Sequence, residues 1–457
     1  MDNSVSNIIF DKLKLKILAI IMIAIPSFKL ISYILYLTHI IKDTYEVKNV
    51  YVLWAAIPIL LVIYILGLHI KKDKITYLDI IMYILAFLAI ISTIFAVNVK
   101  VSIFGIRTRN EGLLTLFCYY LIFLNAKSIT NKKDKKMLLD IFLYLGLFQV
   151  AHSLIESYTT WGIVRRRSGS LIASGLCGNP NFFSSYMSML VLLASTLYIK
   201  TKEKKYLVFT ILYNVGLTLA QTSGPFLAVI VSVIFLFIYF HKKEYMKRII
   251  IVVLTLVASF YVTNVTSTYV QEKVYNKRIG VSSNIAKELI YSYNQLLYIG
   301  ETKDEVAIRE FGTKRVGIWM NLIPLVKDYW LAGAGMDNIT YIYPQKTNEY
   351  WLAKTSTNNP DEEIKVYVDK AHNHYLEILV TNGLPALIVY LSLCGIIFVK
   401  GFKLKNEDVG FYMLFIVYSA QLFVNISVID VAPYFFLFYG LLASNFNEKL
   451  FKKKSYS

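Results

Sequence analysis

The feature that most constrains this chain is a recurrence of apolar runs with few charges, spread from Ile17 to Phe446. A bilayer core about 30 Å thick needs roughly 20 residues of helix at 1.5 Å rise per residue. Such runs fall at 17–38, 50–70, 77–97, 112–127, 137–157, 181–199, 206–221, 225–240, 249–266, 375–398, 409–427 and 433–446. Lipid cannot hydrogen-bond a free backbone, so each run is expected to be helical. The predicted fold class is an all-α polytopic integral membrane protein with about 12 transmembrane helices. Composition excludes the alternatives. Hydrophobic residues are 56% and charged residues 17% of the 457, which leaves too little polar surface for a soluble protein of this size. Cys118, Cys177 and Cys394 are too scattered for a metal site or a disulfide scaffold. The first run follows Lys12, Lys14 and Lys16, but it is long for a signal peptide and no small-x-small site follows, so it reads as a retained span.

Basic residues orient the spans. Segments 1–16, 71–76, 127–136, 200–205, 241–248, 399–408 and 447–457 hold 26 Lys or Arg, whereas 39–49, 98–111, 158–180, 222–224 and 428–432 hold 8. The positive-inside rule then puts both termini in the cytoplasm. The net charge of +18 reads as anchoring to anionic lipid, with no need of nucleic acid. The expected organisation is one functional membrane domain: helices one to nine over 1–266, a large extracytoplasmic loop over 267–371, and helices ten to twelve over 372–457. A connection that long carries structure or function of its own, and helical periodicity is visible at 284–298 and 305–330.

The chemistry-bearing residues lie on the outer side of this scheme. Of nine Arg, only Arg248 falls in a cytoplasmic segment. A guanidinium grips carboxylate or phosphate in two-point fashion, which suits a bound anion, although outer-leaflet lipid explains the partition too. Arg315 sits in the apolar stripe Phe311, Arg315, Trp319, Leu322, Val326 of a predicted helix. A charge there is costly unless it is paired or snorkels to the surface. His372 follows Asp369, a candidate N-cap, and a helix N-terminus disfavours imidazolium, so a neutral, proton-accepting His is expected, beside the plainer reading of a satisfied polar residue. His374 points elsewhere. Gly-Asn-Pro-Asn at 178–181 reads as a turn into a helix, with Arg165, Arg166 and Arg167 upstream. Gly-Ala-Gly at 333–335 follows a helix and not a strand, so it is not a dinucleotide fingerprint, and no Walker, zinc-binding or nucleophile-elbow pattern is present.

Four stretches together resemble the O-antigen ligase and Wzy-type polymerase superfamily: RNEGLLTLFCYY (109–120), GNPNFFSSYMSMLVLLA (178–194), KRVGIWMNLIPLVKDYWLAGAGMDN (314–338) and VDKAHNHYLEILVTNGLPALIVYL (368–391). The likeness spans roughly residues 100–400, and its last two stretches are the most specific. It implies a GT-C-like membrane glycosyltransferase of the bacterial inner membrane, acting on its extracytoplasmic face. The implied partners are a polyprenyl-diphosphate-linked glycan donor and a glycan or glycolipid acceptor. It implies His372 as the base for the acceptor hydroxyl and Arg315 at the pyrophosphate, with Arg109 and Arg167 as further anion contacts and Asn373, Asp369, Glu111 and Asn179 in support. An Arg common in the family's turn between the seventh and eighth spans is replaced here by Ser223. No cofactor is expected, and no metal, since the outer face offers Arg clusters in place of a clear carboxylate set. The alternative is a transporter or flippase of lipid-linked glycans; the absence of an internal repeat weighs against it.

Overall fold

The chain is described from a computed structural model, over residues 3–42, 48–69, 75–159, 172–275, 284–343, 368–404 and 408–446. Among these residues there is helix and turn but no strand. In chain order the helices are α1 (Asn3–Leu37), α2 (Val50–His69), α3 (Tyr77–Ile94), α4 (Val99–Phe104), α5 (Leu113–Lys127), α6 (Lys132–Tyr158), α7 (Pro180–Thr201), α8 (Lys204–Leu219), α9 (Ser223–Tyr239) and α10 (Lys243–Tyr269). There follow α11 (Ile285–Thr302), α12 (Glu305–Glu310), α13 (Arg315–Leu322), α14 (Val326–Tyr329) and α15 (Ile339–Ile342), then α16 (His374–Asn382), α17 (Leu384–Phe402), α18 (Val409–Gln421) and α19 (Ala432–Ala443).

By length and hydropathy, seven helices among the described residues can cross a bilayer: α1, α2, α3, α6, α7, α10 and α17, while α5, α9 and α18 are apolar but shorter. The chain is a multi-pass membrane protein. Burial separates the helices. Every residue of α7 from Phe183 to Ile199 is buried, so this helix is the axis of the bundle. On α10, Leu254, Val257, Tyr261 and Val262 are exposed, an outward apolar face that lipid covers.

Charged pairs sort to the two ends of the bundle. At one, Lys127 meets Asp79 at 2.5 Å, Lys135 meets Asp408 at 2.7 Å and Lys14 donates to Ser128 at 2.5 Å. The sequence reading gave the inner lysines to lipid head groups. These three are instead buried in the protein, where a charge is tolerated only with a partner. Because α3 and α5 run oppositely from that end, residues 92–112 gather at the other. There Asn49 donates to Asp430 at 2.5 Å, and Lys29 lies 3.9 Å from the same carboxylate.

Two expected helices are broken, each for a local reason. The run at 375–398 divides at Gly383, whose φ of +87° ends α16, and Pro385 restarts the chain as α17. The periodicity over 305–330 is interrupted at 311–314, where Gly312, Thr313 and Lys314 have φ of +63°, +56° and +69°. Phe311 therefore leaves the stripe, and Arg315 becomes the first residue of α13. The periodicity at 284–298 is met by α11. A second, smaller core of Leu322, Ile339, Tyr343, Val368, Ala371 and Val380 holds this region on the bundle.

Candidate active site

The glycine turn at 333–338 explains itself once its neighbours are seen. The Ala334 and Gly335 N–H groups donate to the Val380 and Thr381 carbonyls at 2.9 and 3.0 Å, and the Ala334 carbonyl accepts from Val97 N at 3.0 Å. A Cβ on Gly333 would lie 2.2 Å from the Thr381 carbonyl, and one on Gly335 2.2 Å from Ala96. Only glycine lets this strip of backbone slide between the ends of α3 and α16. Asn338 then fixes the register, accepting from Asn98 N at 2.8 Å. Asp337 reaches the loop before α5, its Oδ2 accepting from Ile106 N at 2.9 Å and Glu111 N at 3.2 Å.

That carboxylate also anchors the segment bearing His372. Lys370 is buried with its Nζ 2.6 Å from Asp337 Oδ1 and 3.0 Å from Glu377 Oε1. Burial opposes its charge, but Asp337 and Glu377 outweigh that and hold its pKa above the usual lysine range. The Ala371 N–H donates to Glu377 Oε2 at 2.8 Å, and the Ala371 carbonyl accepts from Trp319 Nε1 of α13 at 2.9 Å. On the near side, Asp369 accepts from Arg109 Nε at 2.7 Å. On the far side, Asn373 Oδ1 accepts from Leu376 N at 3.0 Å, and the His374 N–H donates to the Leu422 carbonyl at 2.9 Å. Pinned from both directions, His372 adopts a left-handed backbone with φ +50°.

This corrects the sequence reading of Asp369. It does not cap α16; Asn373 does, and His372 precedes the helix instead of occupying its first turn. The imidazole is neutral for another reason. Burial first, then the charge of Arg315, lowers its pKa from 6.5 to about 4, with Asp369 opposing. The Trp319–Ala371 hydrogen bond sets α13 against this turn, so Arg315, one helical turn before Trp319, bears on His372. Burial lowers the pKa of Arg315 from its ordinary value and Glu288 partly offsets it. Ser223, which the sequence reading set against an Arg of the resembled family, donates to Glu288 Oε1 at 2.8 Å.

The other expected residues divide. Arg109 lies over the Phe182 ring at 5.5 Å, which joins the 109–120 stretch to the 178–194 one. Asn179 caps α7, accepting from Asn181 N at 2.9 Å, and takes a structural place. Glu111 accepts from Tyr119 Oη at 2.8 Å and lines a mainly apolar cavity of about 80 Å³, whose polar groups include Tyr119, Asp337, Lys370, His374 and Glu377. Burial, against the pull of Lys370 and Tyr119, raises the Glu111 carboxyl to about 7. Arg165, Arg166 and Arg167 lie outside the described residues. Among the described residues no cluster of His, Cys, Asp and Glu is arranged to hold a metal ion. Sequence reasoning missed Lys370 and Asp337. Only Asp337 carried a local signal, an aspartate at the end of an apolar, glycine-punctuated run, while Lys370 sits among other polar residues.

Residues 206–391 match the family model described as O-antigen ligase, the superfamily that the four sequence stretches resemble. The matched stretch holds Arg315, Asp337, Lys370, His372 and Glu377, while Arg109 and Glu111 join the site from outside it. No curated protein matches the chain.

Proposed function

We propose, on the premise that this chain is of the O-antigen ligase and Wzy-type superfamily, that it transfers a glycan from polyprenyl diphosphate to an acceptor sugar hydroxyl. The reaction takes place at the extracytoplasmic face of the bacterial inner membrane and needs neither metal nor cofactor. The observation that carries this reading is the Trp319–Ala371 hydrogen bond, which brings a cation on α13 and a neutral His on the 368–373 turn to one place. The diphosphate lies against Arg315. Arg109, which gives its Nε to Asp369, keeps a second face of its guanidinium for the same anion. Arg167 is a further anion contact. His372 takes the proton of the acceptor hydroxyl as that oxygen bonds to the anomeric carbon. The bond from that carbon to the phosphate oxygen breaks, and its electron pair leaves with polyprenyl diphosphate. Attack opposite the leaving group inverts the anomeric configuration, and fixed cations stabilise the departing charge electrostatically.

The test is transfer from a defined lipid-linked oligosaccharide by purified variants. General-base help is worth about 10²–10⁴-fold, so His372→Ala loses that much turnover while still binding donor. Arg315→Lys keeps the charge, loses the fork and is seriously impaired. A His372→Ala protein transferring at the unmodified rate removes His372 from the mechanism. Activity lost to chelator and restored by magnesium or manganese removes the metal-free reading.

A further inference from the structure

Helix α11 carries an apolar stripe that the other described residues leave uncovered. Ile290, Tyr293 and Leu297 follow the i, i+3, i+7 spacing of one helix face, with Leu296 beside them. Their exposures are 63%, 62%, 51% and 53%. Gly300 continues the stripe, and a Cβ built there meets nothing within 4 Å. Lys287, Asn294 and Glu301 occupy a neighbouring face, and Ile285 and the half-buried Ile299 turn toward the protein. So the helix has a protein side, a polar side and an apolar side open to its surroundings.

What covers the apolar side follows from where the helix begins. The Ile285 N–H donates to Gln221 Oε1 at 2.7 Å, Ser223 donates to Glu288 at 2.8 Å, and Asn284 donates to Thr268 at 3.0 Å. Those partners stand where α8 ends, α9 begins and α10 ends, so α11 starts at the rim of three apolar helices. Its 18 residues reach about 27 Å at 1.5 Å per residue. We propose that α11 lies in the bilayer interface at the end of the bundle that carries His372 and Arg315, with Ile290, Tyr293, Leu296 and Leu297 in the acyl region. Such a helix binds by the apolar area it buries among the lipids. It fixes the turn before Arg315 at the depth of the lipid phosphates, the level at which a lipid-linked diphosphate presents itself.

The test needs no turnover and so is independent of the proposed reaction. In a full-length background with Cys118, Cys177 and Cys394 replaced by Ser, single variants Ile290→Cys, Tyr293→Cys, Leu297→Cys, Asn294→Cys and Glu301→Cys are nitroxide-labelled. Each is reconstituted in nanodiscs of phosphatidylethanolamine and phosphatidylglycerol. Collision with lipid-soluble oxygen should dominate at 290, 293 and 297, and collision with a water-soluble nickel chelate at 294 and 301. Nickel access along the whole stripe overturns the proposal. So does dipolar broadening at 290, 293 and 297 that vanishes on dilution with unlabelled protein, because a second copy is then the cover.

Discussion

His372 has an unusual backbone and an unusual acidity, and the two have separate causes. The left-handed φ comes from ties at residues 369, 370, 371, 373 and 374; the depressed pKa comes from burial and from Arg315. A base this weak suits an empty site. On the proposed reaction, a bound diphosphate would offset the guanidinium charge and strengthen the base when the donor is in place. In pH–rate profiles, kcat/KM reports the free enzyme and kcat the complex. The acid limb of kcat/KM is expected near 4, and that of kcat at higher pH; coincident limbs would uncouple His372 from the diphosphate. The same shift has a stability consequence. The folded chain holds this proton less tightly than the unfolded one, so His372 lowers stability as pH falls from about 6.5 toward 4 and has no effect above that window. Lys370 is the other decisive residue. Lys370→Met leaves Asp337 and Glu377 buried without their cation, a kind of loss typically worth about 3–5 kcal/mol. Adding Asp337→Asn should recover part of it, read as the melting temperature in detergent. None of this pairing was legible in the sequence, where Lys370 looks like one more loop lysine. Its partners come from separate segments, and charge pairing at a distance leaves no local pattern.

At the scale of elements, local signals served well and long periodicities served less well. The cap and proline at 179–180 mark the start of α7, and α11 stands where the amphipathic spacing predicts it. The break at 311–314 escaped because a 3.6-residue period passes through a short left-handed turn without obvious loss of phase. The glycines carry an element-scale prediction. Gly333→Ala forces a side chain onto the Thr381 carbonyl at φ +75° and should unseat the turn holding Asp337, lowering both thermal stability and transfer. Gly300→Ala adds a methyl to an open helix face, where alanine is favoured over glycine by about 1 kcal/mol, and should be neutral or stabilising. Equal damage from the two substitutions would show that the packing at 333 does not matter.

Across the whole molecule, the membrane class was readable from apolar spacing, and the assembly of the site was not. Reporter fusions near residues 132, 203 and 403 should register as cytoplasmic, and those near 168 and 320 as external; a cytoplasmic signal at 320 would separate Arg315 from an external donor. The lysines that guide this expected orientation do double duty, since Lys14, Lys127 and Lys135 also close one end of the bundle. The ties around residue 372 come from residues 109, 319, 337 and 422. A ribosome that has just released residue 374 has therefore made the base but not all of its mounting. The Leu422 carbonyl arrives only after α17 and α18 have been inserted. On the proposed reaction, a growing chain is therefore expected to lack transfer activity until that carbonyl is in place. A premature stop before residue 422 is expected to leave the apolar helices up to α17 able to enter the bilayer while removing one tie of the turn that carries residue 372.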